Sequence, residues 1–415
     1  NDFVGRIGIG VVKRGKVKVN QTVSCMRIDG SVKQFRIAKL FGFLGLKRIE
    51  IEEAEAGDII AIAGLPDISV GETVCELGKE AKRAIEEARS KVASLINCEP
   101  DEVYFTSGGS ESDNMAIKGV ANMARRGHII TSKIEHSAVI HSCQNLERKG
   151  FRVTYLDVDK DGMVDLEQLK KAIRNDTILI SIMFANNEIG TIEPIEKIGK
   201  IAKEHHVIFH TDAVQAVGSI NIDVNKLNID SLSLSAHKFH GPKGIGALYV
   251  KKGINFSKFI DGGHQESNKR AGTENVAAIV GMAEAMKIAY SNLEENNKYI
   301  QNLRNYYISN ILKKIPNARL NGNTKNRLSN NANFSFKNVD GAAMLFNLDL
   351  KGICVSAGSA CTAGAIQKSH VLSAINVPDE YIGGTIRTTF GIDNTKEEVD
   401  YLINSICEIL NKIEE

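Results

Sequence analysis

The sequence of 415 residues lacks the features that would place it at once in a specialised class of protein. Its formal net charge is only +2, which gives no overall case for binding nucleic acid or a membrane surface. It has no apolar run long enough to span a bilayer and no recognisable signal peptide. Its seven cysteines are an odd, scattered set without a Cys-x-x-Cys pair, which indicates reduced thiols in a cytoplasmic protein.

Two kinds of site are also missing from the sequence. No Gly-x4-Gly-Lys-Ser/Thr motif occurs anywhere, so hydrolysis of GTP is not predicted. Several histidines cluster along the chain, but no group of cysteines or carboxylates completes a coordination set, so we expect no metal site. What remains is an ordinary composition and a length that predicts two or three domains.

The most informative stretch is Ser235-Ala-His-Lys238, which follows an apolar run and precedes a Gly/Pro turn. A lysine placed where a strand leaves the core is costly unless its charge is paired or removed. A covalent bond between its amine and an aldehyde cofactor such as pyridoxal phosphate would remove that charge. Because most lysines are solvated surface residues, this interpretation depends on other segments.

A second stretch, residues 206–215, is predicted to be a short buried strand that ends in Asp212. A carboxylate at the carboxyl end of a parallel strand lies where open α/β sheets bind ligands. There it could pair with a protonated pyridine nitrogen, and Gln215 could reach the phenolic oxygen of the same ring. The alternative is that Asp212 caps a following helix, and the two roles do not exclude each other.

Residues 104–114 indicate a strand, a glycine loop and the start of a helix. Backbone N–H groups at a helix N-terminus form an anion site suited to a phosphate. Gly109 would allow close approach and Ser110 would add a hydroxyl. Plain helix capping is the alternative.

Late in the sequence, residues 355–365 are almost all small, which predicts a mobile loop carrying one thiol, Cys361. A cysteine on such a loop is accessible for reaction. Cys354, on an apolar Ile-Cys-Val step, is predicted to be buried instead. Arg387 ends a further predicted strand and is suited to binding a substrate carboxylate.

These segments belong to a series of motifs that follow one another along the chain: Thr-Ser-Gly-Gly-Ser-Glu-Ser-Asp-Asn, Glu-His136, Asn-Asn187-Glu-Ile-Gly, Asp212-Ala-Val-Gln, Ser-Ala-His-Lys238, Arg-Ala-Gly-Thr273-Glu-Asn, Gly-Ser-Ala-Cys361 and Ile-Arg387. In this order they make the sequence from about residue 77 onward resemble the NifS/IscS-type cysteine desulfurases. That family consists of fold-type I pyridoxal-phosphate enzymes of the class V aminotransferase group.

The resemblance implies a role for each matched residue around the cofactor ring. Lys238 would bind the cofactor covalently, and His136 would stack on the ring. Asp212 would pair with the pyridine nitrogen, while Gln215 and Asn187 would lie near the ring oxygen and the substrate.

The resemblance also implies residues for the phosphate and the substrate. The cofactor phosphate would be held by Gly109, Ser110, Ser235 and His237. Because the family is dimeric, Thr273 from the other subunit of a homodimer would join them. Arg387 would bind the carboxylate of the substrate, and Cys361 would be the nucleophile.

The implied reaction converts L-cysteine to L-alanine and leaves the sulfur as a persulfide on Cys361. The small-residue loop resembles that of members that donate sulfur to an iron–sulfur scaffold or a tRNA-thiolation protein. Two alternatives stay open. One is a selenocysteine lyase or another class V enzyme, and the other is a ribosome-binding translation-factor fragment with an inert C-terminal part.

Residues 1–75 have a different sequence pattern, in which short runs of alternating apolar and charged residues are separated by glycine turns. This pattern predicts a small antiparallel β-barrel. Arg6-Ile-Gly-Ile-Gly, Asp29-Gly-Ser-Val-Lys-Gln-Phe and Lys39-Leu-Phe-Gly-Phe-Leu-Gly-Leu-Lys-Arg resemble domain II, the EF-Tu-like barrel, of TypA/BipA-type translational GTPases. Its many basic residues indicate either a weak contact with ribosomal RNA or an ordinary solvated exterior.

Strands that alternate with helices from 102 to 250 predict an α/β fold with a mainly parallel sheet, followed by a bridging helix and a smaller α+β domain. The expected domains are the barrel (1–75), a cofactor-binding large domain (77–262) and a small domain with the Cys loop (263–415).

The junction between the two resemblances lies near residues 71–79 and has no Pro/Ser/Gly linker. The desulfurase family opens with an extended Asp-Asn-Ala-Ala-Thr-Thr segment on the substrate side of the site, and residues 1–76 contain no match to it. We therefore expect the junction to mark a gene rearrangement, an assembly error or a deliberate chimera, with impaired turnover.

Overall fold

The computed structural model describes residues 7–13, 15–27, 32–44, 47–64, 73–75, 78–356 and 368–414. The chain divides into two compact units. One comprises Asn1–Glu87 with Ile260–Val276, and the other comprises Ala88–Phe259 with Ala277–Glu415. The described part of the chain contains no helix that is both long and apolar enough to cross a membrane.

The first unit contains short strands, which we call the barrel segment. They are β1 (Ile7–Val11), β2 (Lys16–Lys18), β3 (Thr22–Met26), β4 (Val32–Arg36), β5 (Lys39–Leu44), β6 (Lys47–Ile51), β7 (Glu53–Glu55), β8 (Ile59–Ala63) and β9 (Thr73–Cys75). Their sheets have the orders β1-β8-β5-β6, β2-β7 and β4-β3-β9, and all pairs are antiparallel. The predicted antiparallel N-terminal strands are confirmed.

The barrel segment has its own apolar core, which consists of Val23, Cys25, Phe35, Ile37, Leu40, Ala54 and Ile60. In β7, Ala54 is buried between two exposed glutamates, which is the alternation expected of a half-buried strand. Helix α1 (Gly78–Ile96) follows in the chain, and its apolar stripe is buried at Ile85, Ala88 and Val92.

A seven-stranded sheet forms the centre of the second unit. Its strands are β10 (Val103–Thr106), β11 (His128–Ser132), β12 (Arg152–Leu156), β13 (Thr177–Ser181), β14 (Ile208–Asp212), β15 (Ser231–Ser235) and β16 (Gly246–Val250). Their order is β10-β16-β15-β14-β13-β11-β12. Strands β11 to β15 pair in parallel, and β16 runs antiparallel to both of its neighbours.

The connections of this sheet include α2 (Gly109–Ala124), α3 (Ser137–Arg148), α4 (Leu166–Ala172) and α5 (Ile195–Glu204). Strands β11, β15 and β16 are buried along their whole length. This is expected when helices cover both faces of a parallel sheet. The predicted α/β fold with a mainly parallel sheet is confirmed.

The segment Ile260–Val276, which groups with the first unit, contains the short helix α6 (Gln265–Asn268). The chain then continues with α7 (Val276–Ser291) and α8 (Leu293–Lys314). A three-stranded antiparallel sheet follows, made of β17 (Ala318–Asn321), β18 (Asn331–Phe336) and β19 (Thr385–Thr389). Helices α9 (Gly341–Asp349), α10 (His370–Ala374), α11 (Asp379–Ile382) and α12 (Lys396–Glu414) complete this part.

Aromatic side chains fill the centre of this C-terminal part. The ring of Tyr307 packs edge-on against Phe334 and Phe390, with centroid distances of 5.7 and 5.4 Å. Helices α8 and α12 both contribute apolar side chains to the same core. This core packs against β19 and so holds in place the strand that carries Arg387.

Candidate active site

The predicted strand of residues 206–215 ends in Asp212, as expected. Asp212 is the last residue of β14, which lies between the parallel strands β13 and β15 in the sheet. Its side chain is only 5% exposed, and its Oδ1 accepts a hydrogen bond from the Val214 N–H at 2.9 Å. A turn rather than a helix follows β14, so Asp212 caps no helix. Gln215 is half-buried in this turn.

Two further side chains meet Asp212. His136 is the N-cap of α3, and its Nδ1 accepts a hydrogen bond from the Ala138 N–H at 3.2 Å. Asp113, on the buried face of α2, was not predicted. Ligand atoms of Asp113, His136 and Asp212 all lie within 4.8 Å of one another. Such a trio is also close enough for a metal ion, and the cofactor fit below accounts for two of the three groups, His136 and Asp212.

The electrostatics of this trio are set by burial. Burial raises the pKa of Asp212, while the Val214 N–H, His136 and Lys238 oppose the rise. Burial also raises the pKa of Asp113 well above its usual range, and the neighbouring Asp212 adds to this rise. The surroundings of Asp212 therefore stabilise a negative charge better than those of Asp113 do.

Lys238 lies in the 3-10 turn Ala236–Phe239, which directly follows β15. Its side chain is exposed, so the burial cost that the sequence argument invoked does not apply, and its importance rests on its position near Asp212. Ser235 is buried at the end of β15, and its hydroxyl shares a 2.9 Å hydrogen bond with Nδ1 of His237. Burial together with Lys238 and Lys243 lowers the pKa of His237.

The glycine loop between β10 and α2 approaches the same edge of the sheet. Gly108 has φ of 148°, which favours glycine, and a Cβ there would lie 3.6 Å from Oγ of Ser235. A Cβ on Gly109 would come within 2.6 Å of Val214, in the turn after Asp212. The N-terminus of α2, where Ser110 is exposed, thus lies beside Ser235 and the Asp212 turn.

Arg387 and Asn187 are also brought together. Arg387 is in β19, and its Nη1 donates a 2.7 Å hydrogen bond to the backbone carbonyl of Asn187. Asn187 is half-buried, and the preceding Asn186 is buried with its side chain bonded to the backbone of Ile134, Glu188 and Ile189. The Asn186 amide therefore shapes the loop that presents Asn187.

Residues on both sides of the Cys361 loop are attached near the site, although Cys361 itself lies outside the described residues. Before the loop, Ser356 pairs with Arg387 through two backbone hydrogen bonds. After it, the Ser369 hydroxyl donates to buried Glu188 at 2.6 Å, and Nε2 of His370 bonds the Glu135 carbonyl at 2.9 Å. Sequence reasoning missed Ser369, His370 and both glutamates, because each contact joins residues far apart in the chain.

Two other expectations concern residues away from this cluster. Cys354 is exposed, so the prediction that it is buried was wrong. An apolar Ile-Cys-Val step does not fix burial when the strand it predicts does not form, and residues 353–355 lie outside any strand. Thr273 is exposed in the Ile260–Val276 segment, which groups with the first unit.

These residues fit pyridoxal phosphate. Asp212 offers a buried carboxylate to a cationic ring nitrogen, and His136 lies beside it. The space next to the Ser235 hydroxyl, which a Cβ on Gly108 would fill, lies at the α2 N-terminus, and the N-terminal end of a helix favours a phosphate. Lys238, one turn from Ser235, supplies the amine.

Comparison with known proteins gives a consistent result. The sequence profile of the aminotransferase class-V family matches residues 68–402, and that of elongation factor Tu domain 2 matches residues 5–75. Cysteine desulfurase IscS of Dictyoglomus turgidum is 54% identical over 343 residues, covering 82% of this chain and 87% of that protein. Its namesake in Methanosarcina thermophila is 53% identical over 343 residues, with coverages of 82% and 85%.

Solved structures agree with these relatives. A structure described as a NifS-like protein has a TM-score of 0.76 and 41% identity, and the match covers 81% of this chain and 89% of that chain. A NifS-like protein from Rickettsia africae has a TM-score of 0.74 and 33% identity, with coverages of 80% and 89%.

Proposed function

Because the chain belongs to the aminotransferase class-V family and, within it, to the IscS cysteine desulfurases, we propose that it converts L-cysteine to L-alanine with pyridoxal 5'-phosphate and retains the sulfur on Cys361. The observation that carries this proposal is the meeting of Asp212, His136 and Lys238 at the carboxyl edge of the seven-stranded sheet. Open α/β sheets bind their ligands at that edge.

The residues that would hold the cofactor occupy distinct parts of this edge. Lys238 would bind it covalently, His136 would lie on its ring and Asp212 would face its ring nitrogen. Gln215 and Asn187 would lie near the ring oxygen. The phosphate would be bound by Gly109, Ser110, Ser235 and His237, with Thr273 contributed from the other subunit of a homodimer.

When bound, pyridoxal phosphate supplies an electron sink for the electrons of a bond at the substrate α-carbon. The chain's own task is to position charges and protons around it. Asp212 maintains a negative charge at the ring nitrogen. The Lys238 amine would take the α-proton of the substrate and return a proton to its carbon skeleton, and its electrostatic interaction with Asp212 supports this position.

Arg387 would bind the carboxylate of L-cysteine. Its guanidinium is held by β19 and by the hydrogen bond from Nη1 to the Asn187 carbonyl. A guanidinium suits this role because its N–H groups form a planar fork that matches a carboxylate. This geometry orients the substrate with respect to Asn187 and the ring.

The sulfur step requires Cys361 as a thiolate, because the neutral thiol is a poor nucleophile. A bond forms between the Cys361 sulfur and the substrate sulfur while the substrate carbon–sulfur bond breaks. The electron pair of that bond stays with the carbon skeleton, which takes up a proton and leaves as alanine. The enzyme then carries a persulfide, and no external oxidant or reductant is needed.

Substitution of Cys361 tests this step, with Cys354→Ala as the matched control. We expect Cys361→Ala to lose sulfide and alanine formation by at least about a hundredfold, because the covalent route is removed. Its cofactor absorbance should still change on addition of L-cysteine. Cys354→Ala should react as the unaltered chain does. Full activity in Cys361→Ala would instead favour a selenocysteine lyase or another class V activity.

Further parts of the proposal concern organisation and partners. We propose a homodimer that passes its persulfide to an iron–sulfur scaffold or a thiolation protein. Among the described residues, Cys98, Cys143, Cys354 and Cys407 are not joined in disulfides, which supports a reducing, cytoplasmic setting. The proposed domains are 1–75, 77–262 and 263–415, and the separate seven-stranded and three-stranded sheets support the last two.

A weak contact of the barrel segment with RNA is a second, minor proposal, and its support is the set of basic residues. Several of these are already paired with carboxylates: Lys16 and Lys18 with Glu53, and Lys39 with Glu50. Such pairing reduces the positive potential available to phosphates, so we expect the contact to be lost at moderate salt. Co-sedimentation with ribosomes, compared between the full chain and Lys33→Ala, would measure it.

A further inference from the structure

The role of Asp113 is not explained by the proposed reaction. Asp113 and Asp212 are 1% and 5% exposed, and their carboxylate oxygens lie within 4.8 Å of each other. Two negative charges at this distance in a protein interior repel strongly, so one of the two carboxyl groups retains a proton.

The surroundings decide which carboxyl group is charged. Asp212 accepts the Val214 N–H and faces His136 and Lys238, all of which favour its anion. For Asp113, the hydrogen bond with the Ser233 hydroxyl favours the anion, whereas the nearby charges of Asp212 and Glu135 disfavour it. Its Oδ1 has no hydrogen-bond partner among the described residues. The balance therefore favours a proton on Asp113.

A chain of hydrogen bonds extends from Asp113 into the sheet. Asp113 bonds the Ser233 hydroxyl, which lies 3.0 Å from Nε2 of His210. On the other side, Nδ1 of His210 lies 2.9 Å from the hydroxyl of Ser181. Burial lowers the pKa of His210 to about 3, so its ring is neutral and has one proton to place.

These hydrogen bonds have only two orders of donor and acceptor in which every group has a partner. If Asp113 is protonated, it donates to Ser233, Ser233 donates to Nε2 of His210, and Nδ1–H of His210 donates to Ser181. If Asp113 is ionised, all three bonds reverse and His210 carries its proton on Nε2. The tautomer of His210 therefore reports the protonation of Asp113.

We propose that Asp113 is a positioning residue held as the neutral acid, that Asp212 is therefore the anion of the pair, and that the bonds through Ser233 keep the proton of His210 on Nδ1. A neutral Asp113 confines the negative charge to the carboxylate that faces the ring nitrogen. That functional meaning rests on the proposed function, whereas the protonation state itself can be measured without cofactor.

Infrared difference spectroscopy of the full chain at pH 7.5, with and without pyridoxal phosphate, tests the proposal. The spectrum of the unaltered protein minus that of Asp113→Asn should contain the C=O stretch of a protonated carboxyl group, which shifts on ¹³C-aspartate labelling. The matched control is Asp165→Asn, at an exposed helix cap, which should remove only carboxylate bands. Carboxylate bands in the Asp113 difference would overturn the proposal.

Two more measurements separate charge from mere packing. The ¹⁵N signals of His210, assigned by comparison with His210→Gln, should show Nδ1–H, and an Nε2–H signal would contradict the proposal.

The affinity for pyridoxal phosphate gives the second measurement. Asp113→Asn keeps the shape and neutrality of the side chain and should bind pyridoxal phosphate within about threefold of the unaltered chain. Asp113→Leu leaves Ser233 without its hydrogen-bond partner and should weaken binding by more than about fivefold. A tenfold loss in Asp113→Asn would mean that Asp113 is charged.

Failure of the proposed function would be seen differently. The protonated-carboxyl band would then persist in a protein that binds no pyridoxal phosphate in any variant.

Discussion

The barrel segment and the seven-stranded sheet contain charged side chains in opposite environments. In the barrel segment, Lys16 and Lys18 both meet Glu53 at 2.7 Å, and Lys39 meets Glu50 at 3.1 Å, all on the surface. Among the described residues of that segment, Ser24 is the only buried polar side chain. Its interior is otherwise apolar, as expected for a domain held together by its core alone.

The second unit contains several buried ionisable side chains, and three carboxyl groups among them lie close together at the site. Asp113, Glu135 and Asp212 are each at most 5% exposed, and burial raises the pKa of Glu135 to about 8. Burying such groups costs folding free energy, so their concentration marks a place where the chain does chemistry. In this chain, the candidate site therefore lies where buried ionisable groups reduce the stability of the fold.

The largest effect should follow from Asp212→Asn. This change keeps the size of the side chain but removes the charge opposite the ring nitrogen, so the cofactor loses its electron-sink character. We expect kcat for alanine formation to fall by about a hundredfold or more, with the folded structure retained. An activity near that of the unaltered chain would show that the buried charge is not functional, and the comparison would fail.

Arg387→Lys should have an intermediate effect. Lysine keeps the positive charge but loses the planar fork and the Nη1 bond to the Asn187 carbonyl. We expect KM for L-cysteine to rise by roughly tenfold while kcat changes less. Steady-state kinetics provide the measurement, and Arg319→Lys in β17 is a control in the same three-stranded sheet. An unchanged KM would remove Arg387 from the substrate site.

The smallest effect should come from Glu53→Gln in the barrel segment. Hydrogen bonds from Lys16 and Lys18 lower the pKa of Glu53 from 4.5 to about 2. Because the folded pKa is depressed, any stabilisation is present above about pH 4.5 and lost as the pH falls through about 2. The pair is exposed and screened by salt, so the urea midpoint at pH 7 should hardly move. A large shift would mean that surface charges stabilise this segment after all.

Sequence alone identified the strand ends and turns that carry the site. Asp212 at the end of β14 and Lys238 after β15 lie where the apolar runs predicted them. This was possible because strand periodicity and glycine turns are local signals. The barrel segment was predicted for the same reason.

The supporting residues could not be found in this way. Ser369 and Glu188 meet through contacts between distant parts of the chain, for which no local pattern exists. Asp113 did leave a signal, since it shares an apolar helix face with Ile117 and Val120, and a carboxylate on such a face is unusual. A search for charged residues on apolar faces would have found it.

The visible absorption spectrum of the purified chain with pyridoxal phosphate, before and after addition of L-cysteine, is the decisive measurement of whether the chain is a pyridoxal-phosphate cysteine desulfurase. We predict a bound-cofactor band that Lys238→Ala removes and that the exposed-surface control Lys160→Ala keeps. Addition of cysteine should shift the band and yield sulfide and alanine. A chain that forms no such band, or a band that persists in Lys238→Ala and yields no product, would contradict the account.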